Sequence, residues 1–311
     1  MNAIQAAIET FASRLSHVSV SLLVVAVVLH LANSMLRATA WRGALAAALP
    51  HHRITRWPVT AAYLAGTGVN SVVPARGGDL ARVVLISRRA APGCCCVTVA
   101  STLLVETVMD VAIGLPLAAW AVSSGALPTS LSEVRLPGGT AAVCALATVA
   151  ALLGSLLAKR ARRRVRAVLA EMRQGLTILR TPKAYLRRVA APQAASWAAR
   201  VGSAYVFLHA FQIDAGVGQA ALAVVAGSLS TLMPLTPAGV GTQQALLVVL
   251  LSGVASPAAA VSYSLGTQLV ITAVNVAVGG TCAGLMLGTA PWRARLAAAE
   301  PAPLPAVTSG E

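Results

Sequence analysis

Residues 70–82, NSVVPARGGDLAR, and residues 230–244, STLMPLTPAGVGTQQ, read as two versions of one device. In each, an apolar segment is cut by Pro, turns through Gly, and resumes as a second apolar or amphipathic segment. The two prolines, Pro74 and Pro234, lie 160 residues apart, one in each half of the 311-residue chain. Proline removes a backbone donor and glycine exposes backbone, so at membrane depth both need protein or water to satisfy the freed groups. Paired interruptions at corresponding places in two halves mark a transporter-like site near the bilayer midplane.

The surrounding sequence supplies the membrane. The chain is 57% hydrophobic and 11% charged, against about 25% charged residues in soluble domains. Several apolar runs approach the roughly 20 residues needed to cross hydrocarbon. The class is therefore an all-α polytopic membrane protein. The net charge of +15 does not indicate nucleic acid, because eleven of the 24 Lys and Arg fall between Lys159 and Arg188, in one connection between apolar runs. A cytoplasmic loop facing anionic lipid explains that clustering.

Taken in order, residues 1–17 form an N-terminal segment, followed by a first membrane half over 18–158. Val18–Leu36 is a first span, closed by Arg37, and residues 37–57 read as a basic surface segment with His51 and His52. Ala38-Thr39-Ala40 has the small-residue form of a signal-peptidase site, but no basic head precedes it and the apolar run is long, so the span is expected to be retained. Pro58–Pro74 enters the membrane and Asp79–Arg89 leaves it, both with basic flanks, as a re-entrant hairpin. Val97–Trp120 and Thr140–Ala158 are spans, and residues 159–189 are the basic cytoplasmic loop.

The second membrane half, 190–288, repeats the pattern: a span at Ala190–Phe211, a broken hairpin at Ala220–Leu235 and Thr242–Ser252, and a span at Ala258–Leu287. Residues 289–311 form a Pro- and Ala-rich tail, expected to be disordered. The expected architecture has about five full spans plus two Pro/Gly-broken re-entrant hairpins, or up to eight or nine hydrophobic segments if the hairpins are counted apart. Span, hairpin, span occurs twice in opposite orientation, which is an inverted repeat. The setting is a multi-pass protein of the cytoplasmic (inner) membrane.

The candidate site follows from charges inside these segments. Glu106 and Asp110, four apart, share a helix face. Together they cost about 5–7 kcal/mol at mid-membrane on insertion scales, so they face a bundle interior or a wet cavity. Either they serve function or they pair structurally with Arg76, Arg82 or Arg200. Arg76 and Arg82 flank Gly77-Gly78-Asp79. Guanidinium groups bind phosphate bidentately and Gly-rich turns let backbone N–H groups approach an anion, so an anionic headgroup fits here, with Asp79 capping the exit helix. In the second hairpin Pro234, Pro237, Gly239 and Gly241 break the helix, and Thr242, Gln243 and Gln244 begin a half-helix whose N-terminus favours an anion. Asn70, Arg76, Gly77, Gly78, Arg82, Glu106, Asp110, Arg200, Gly239, Gly241 and Gln244 are the expected substrate-binding set. Cys94, Cys95, Cys96, Cys144 and Cys282 show no zinc spacing, and no HExxH, GxSxG or Asp-rich motif occurs. Neither metal, cofactor nor catalytic residue is expected.

This ordered set, from Asn70 through Arg82, Glu106 and Asp110 to Gly241, resembles the flippase-like membrane domain of lysylphosphatidylglycerol synthases and its stand-alone relatives. The resemblance spans about residues 20–287. It implies a lipid or lipid-linked-precursor translocase, with membrane lipids of anionic headgroup as partners and homo-oligomer assembly left open. Gln244 stands where the family usually has Glu, and Thr107 where Arg often follows the first intramembrane Glu. These departures remove charges that proton coupling through the family's network would use. With no soluble aminoacyl-transferring domain in the sequence, synthase activity is not implied. An intramembrane enzyme acting on a lipid phosphate or glycolipid, and a non-transporting membrane partner, are the competing readings.

Overall fold

The computed structural model describes residues 18–73, 77–89, 96–126, 178, 181–232 and 241–288. Among them the regular structure is entirely helical: α1 (Val20–Ala48), α2 (Arg56–Val72), α3 (Gly77–Arg89), α4 (Cys96–Ser123), α5 (Pro182–Tyr185), α6 (Ala191–Ala210), α7 (Val217–Leu232), α8 (Thr242–Leu250) and α9 (Pro257–Gly288). A π-helical turn over Leu186–Ala190 joins α5 to α6. Three helices are long and apolar enough to cross a membrane: Val20–Ala48, Cys96–Ser123 and Pro257–Leu287. The expected Thr140–Ala158 span, most of the basic loop and the tail lie outside the described residues.

The first helix departs from the sequence reading. Arg37 does not end a span, and residues 37–48 are not a surface segment. The helix continues unbroken to Ala48, and Trp41, Ala44, Leu45 and Ala48 on its second half are all at most 2% exposed. A charge ends an apolar run only where no partner awaits it, and Arg37 has partners on α4. The exposed turn begins at Pro50, where the chain leaves the helix towards His51 and His52.

Two short antiparallel helix pairs sit among the long helices. In the first, the C-terminal turn of α2 meets the N-terminal turn of α3: the Gly78 N–H donates to Asn70 Oδ1 at 2.8 Å, and Asn70 Nδ2 donates to Asp79 Oδ1 at 3.1 Å. Further along, Val59 of α2 and Val83 and Ile86 of α3 share one core with Trp41 and Leu45 of α1. The close crossing requires glycine, because a Cβ on Gly78 would overlap the Gly66 carbonyl oxygen. α9 lies along the other side of α2 through a second small-residue contact, where a Cβ on Gly68 would come within 2.7 Å of the Asn275 carbonyl oxygen. Such approaches let helices pack where burial from water gives no driving force.

The second pair is α7 and α8. Ala220 and Ala223 of α7 pack with Leu247 and Leu251 near the C-terminal end of α8, in a core that also holds Ala26 of α1 and Phe207, Phe211 and Ile213 from the end of α6. At the other end of the pair, Gly227 neighbours Gln243. The first pair thus opens towards the end of the molecule that holds Ala48. The second opens towards the end where Ser19 donates its N–H to the Ala210 carbonyl at 3.1 Å. The Asn70–Gly78 end of the first pair and the Gly227–Gln243 end of the second lie between these two ends, where polar side chains link the elements. His30 Nε2 and Asn275 Oδ1 are 2.9 Å apart, and Asn275 Nδ2 donates to Ser71 Oγ at 3.1 Å.

The glycine contact carries a prediction. Gly78→Ala should lower the thermal unfolding temperature in detergent through an overpacking cost of about 1–3 kcal/mol. Gly280→Ala, where an added Cβ meets nothing within 4 Å, should leave stability unchanged or raised, since Ala is the better helix former.

Candidate functional site: a buried charge network

Glu106 and Asp110 share the inner face of α4, as their spacing requires, and Arg37 from α1 spans them. Its Nη2 lies 2.6 Å from Glu106 Oε1 and 2.6 Å from Asp110 Oδ2, and its Nη1 donates to Asp110 Oδ1 at 3.0 Å. The Arg37 Nε donates to the Tyr63 hydroxyl at 2.8 Å, and that hydroxyl donates to Glu106 Oε1 at 3.0 Å. Arg82 of α3 completes the cluster. Its Nη1 is 3.3 Å from Glu106 Oε2, its Nη2 is 3.2 Å from Asp79 Oδ1, and its guanidinium lies 4.9 Å from the Tyr63 ring centre and 5.3 Å from that of Trp41. The side chains of Glu106 and Arg82 are 7% and 10% exposed.

The outer carboxylate is held differently. Asp110, 28% exposed, also accepts hydrogen bonds from Gln193 Nε2 at 2.8 Å and Trp197 Nε1 at 3.0 Å, both on α6. Four helices therefore converge on two carboxylates. Each charge alone is expensive in this setting, and each is matched: Arg37 and Arg82 against Glu106 and Asp110, with Asp79 in the first turn of α3. An acidic side chain there also answers the helix dipole.

Of the expected site residues, the structure gathers Arg82, Glu106 and Asp110 in this network, with Asn70, Gly77 and Gly78 at the α2–α3 turn just beyond Asp79. Arg76 and Gly239 lie outside the described residues. Arg200 stands apart: half-buried on α6, it donates from Nη2 to Ser228 Oγ of α7 at 3.1 Å, and its guanidinium lies 5.2 Å from the Trp197 ring centre. The expected pairing of the α4 carboxylates is realised with Arg82 but not with Arg200, whose guanidinium reaches the α7 hydroxyl instead. Gly241 takes a positive φ of 92°, and its N–H donates to Gln244 Oε1 at 2.6 Å. Gln244 Nε2 in turn donates to Gln268 Oε1 on α9 at 3.0 Å. His209 meets Tyr205 and, at 3.8 Å, Asp214 at the end of α6. Among the described residues no three His, Cys, Asp or Glu side chains form a metal-holding group.

Sequence reasoning missed Arg37, Tyr63, Gln193 and Trp197. Arg37 carried a signal: a proline-free stretch, mostly apolar apart from Arg42, continues from Ala38 to Leu49, so the helix could have been extended through the charge. Thr107, where family members often carry Arg, turns to the exposed side and donates to the Leu103 carbonyl at 3.1 Å. The cation beside Glu106 comes from α1 instead. Next to Trp197, an apolar groove of about 550 Å³ runs between α4 and α6, lined by Ile113, Leu117, Trp120, Val201 and Tyr205 among others.

A helical membrane fold with a buried charge network and small-residue helix crossings places the chain among multi-pass membrane proteins. The family model described as the lysylphosphatidylglycerol synthase TM region matches residues 3–279, and the chain belongs to that family. It is also similar to the "Glycosyltransferase AglD" of Haloferax volcanii, 28% identical over 271 residues that cover 73% of this chain and 43% of the relative. The chain thus spans less than half the length of that protein. No solved structure matches.

The network makes unequal demands on its members. Glu106→Gln should cost about 3–5 kcal/mol of stability, because it removes the buried carboxylate shared by two arginines and leaves Arg37 only Asp110 and Arg82 only the more exposed Asp79. Asp110→Asn should cost less, since Asp110 is more exposed and Arg37 keeps Glu106. Thermal unfolding of the two variants in the same detergent gives the order directly.

Proposed function

We propose that this protein is a translocase of the cytoplasmic membrane that moves a lipid or lipid-linked precursor by passing its anionic headgroup between two broken helical hairpins. The observation that supports this reading is the two antiparallel helix pairs, α2–α3 and α7–α8, opening to opposite ends of the molecule. In a bilayer each pair is a re-entrant hairpin, one entered from the cytoplasm and one from outside. The long helices α1, α4, α6 and α9 and the Thr140–Ala158 segment make up five spans, arranged as an inverted repeat. The basic connection 159–188 is cytoplasmic under the positive-inside rule.

In this mechanism the headgroup enters at the turn bearing Arg76, Gly77, Gly78 and Asn70. Arg82 already holds Asp79 and Glu106, so an incoming phosphate exchanges with a carboxylate instead of meeting a bare cation. The displaced Glu106 keeps Arg37 and Tyr63, which limits the cost of the exchange. Such a switch between anionic partners suits a carrier, since a site that binds too tightly does not release. The acyl or prenyl chains remain in lipid, with the apolar groove beside Trp197 as a path along the protein. The turn from Gly239 to Gln244 receives the headgroup on the far side.

The relative's name favours a second reading, in which the membrane domain serves a glycosyl-transferring partner by holding its lipid-linked acceptor. The two readings separate in proteoliposomes containing fluorescent anionic and zwitterionic lipids, scored with a membrane-impermeant quencher. Headgroup-selective movement that falls at least about tenfold in Glu106→Gln/Asp110→Asn is the expected result. Movement unchanged in that variant removes the charge network from the mechanism. Binding of the anionic lipid without movement favours the partner reading.

A further inference from the structure

We infer that Arg200, with Gln243 in the first turn of α8, forms a second phosphate station separate from the Arg37–Arg82 network; this rests on the translocase reading and assigns the ligand group of its far side. Of Arg37, Arg82 and Arg200, the first two are held by carboxylates at 2.6–3.3 Å. Arg200 forms no ion pair among the described residues. The only described acidic group in its electrostatic surroundings is Asp110, whose oxygens are already occupied by Arg37, Gln193 and Trp197. Its hydrogen bond to Ser228 uses one of five guanidinium donors.

The surroundings of Arg200 lean the same way. Ser228 anchors to the Val224 carbonyl at 2.9 Å and so fixes the hydroxyl that Arg200 reaches. One residue before it, a Cβ on Gly227 would lie 3.6 Å from Gln243 Nε2, which brings an amide donor of α8 to the same corner. The Trp197 ring covers one face of the guanidinium, so a bidentate phosphate contact would be made at its edge. A guanidinium edge beside an amide donor suits a phosphate group better than a choline or sugar hydroxyl. Ser228 is a positioning residue here, and Arg200 and Gln243 are the contacts.

Trp197 supplies a readout, since its indole lies against the cation that would change partner. Purified protein in detergent is titrated with dioctanoyl phosphatidate, dioctanoylglycerol and inorganic phosphate, following tryptophan emission and, in parallel, calorimetric binding. Wild type should bind phosphatidate and not dioctanoylglycerol. Arg200→Gln should weaken phosphatidate binding by about tenfold or more, the loss of one charge-assisted hydrogen bond, while Arg200→Lys restores part of it. Ser228→Ala should give a smaller loss and serves if Arg200→Gln does not fold. Inorganic phosphate bound as tightly as phosphatidate supports the station but assigns it to free phosphate. Phosphatidate affinity unchanged in both Arg200→Gln and Ser228→Ala, or absent in wild type, overturns the inference. Binding that depends on Arg200 without lipid movement in vesicles would leave the station standing and sink the translocase reading alone.

Discussion

The Arg37 guanidinium between Glu106 and Asp110 is the interaction on which the rest of the structure depends. Two carboxylates one helical turn apart repel each other, and in a low-dielectric interior each is costly on its own. A planar guanidinium reaching both at 2.6 Å converts that repulsion into a tether between α1 and α4. Arg82 ties α3 to the same Glu106, and Gln193 and Trp197 tie α6 to Asp110. Remove the carboxylates and four helices lose their common reference. Small residues then set how closely the remaining helices approach, as at Gly66 against Gly78 and Gly68 against Asn275.

The same network couples local structure to the proposed activity. Charges that merely fill a core need not sit near a helix start, yet Asp79 and Arg82 lie in the first two turns of α3, beside the Asn70 end of α2. In the proposed mechanism an anion arriving there would compete with carboxylates that already have second partners, so that binding and release would exchange ion pairs. The Gln244–Gln268 contact on the other helix pair is neutral. Where the resemblance implied Glu, this chain has a hydrogen bond between two uncharged amides, so proton coupling through that position is not part of our mechanism.

Much of the helical layout was legible because membrane spans are long, apolar and punctuated by proline and glycine. The segments expected at Val97–Trp120, Ala190–Phe211 and Ala258–Leu287 coincide with the helices α4, α6 and α9 within a few residues at each end, and of these α4 and α9 are long and apolar enough to cross a membrane. The face shared by Glu106 and Asp110 followed from helical spacing alone. The partner Arg37 did not, because it lies 69 residues away in sequence and a lone charge in an apolar run looks like a terminus. Its identity depends on how α1 packs on α4, which no local pattern encodes. Trp197 and Gln193 escaped for the same reason, being ordinary residues of a span until the fold turns them towards Asp110. Arg200 was recognised as costly, but the partner expected for it was a carboxylate, whereas the structure gives it a serine and an aromatic face.

The central claim is that the two helix pairs enter the bilayer from opposite faces. It is tested most directly by side-specific labelling of single cysteines in a cysteine-free background, using a membrane-impermeant maleimide on oriented vesicles. His51 and Arg88 mark the open ends of α2 and α3, and Gly216 and Gly253 those of α7 and α8. The account predicts that positions 51 and 88 label from one face, and positions 216 and 253 from the other. Labelling of 51 and 88 from opposite faces, or of 216 and 253 from opposite faces, would show a full crossing in place of a hairpin and contradict the account.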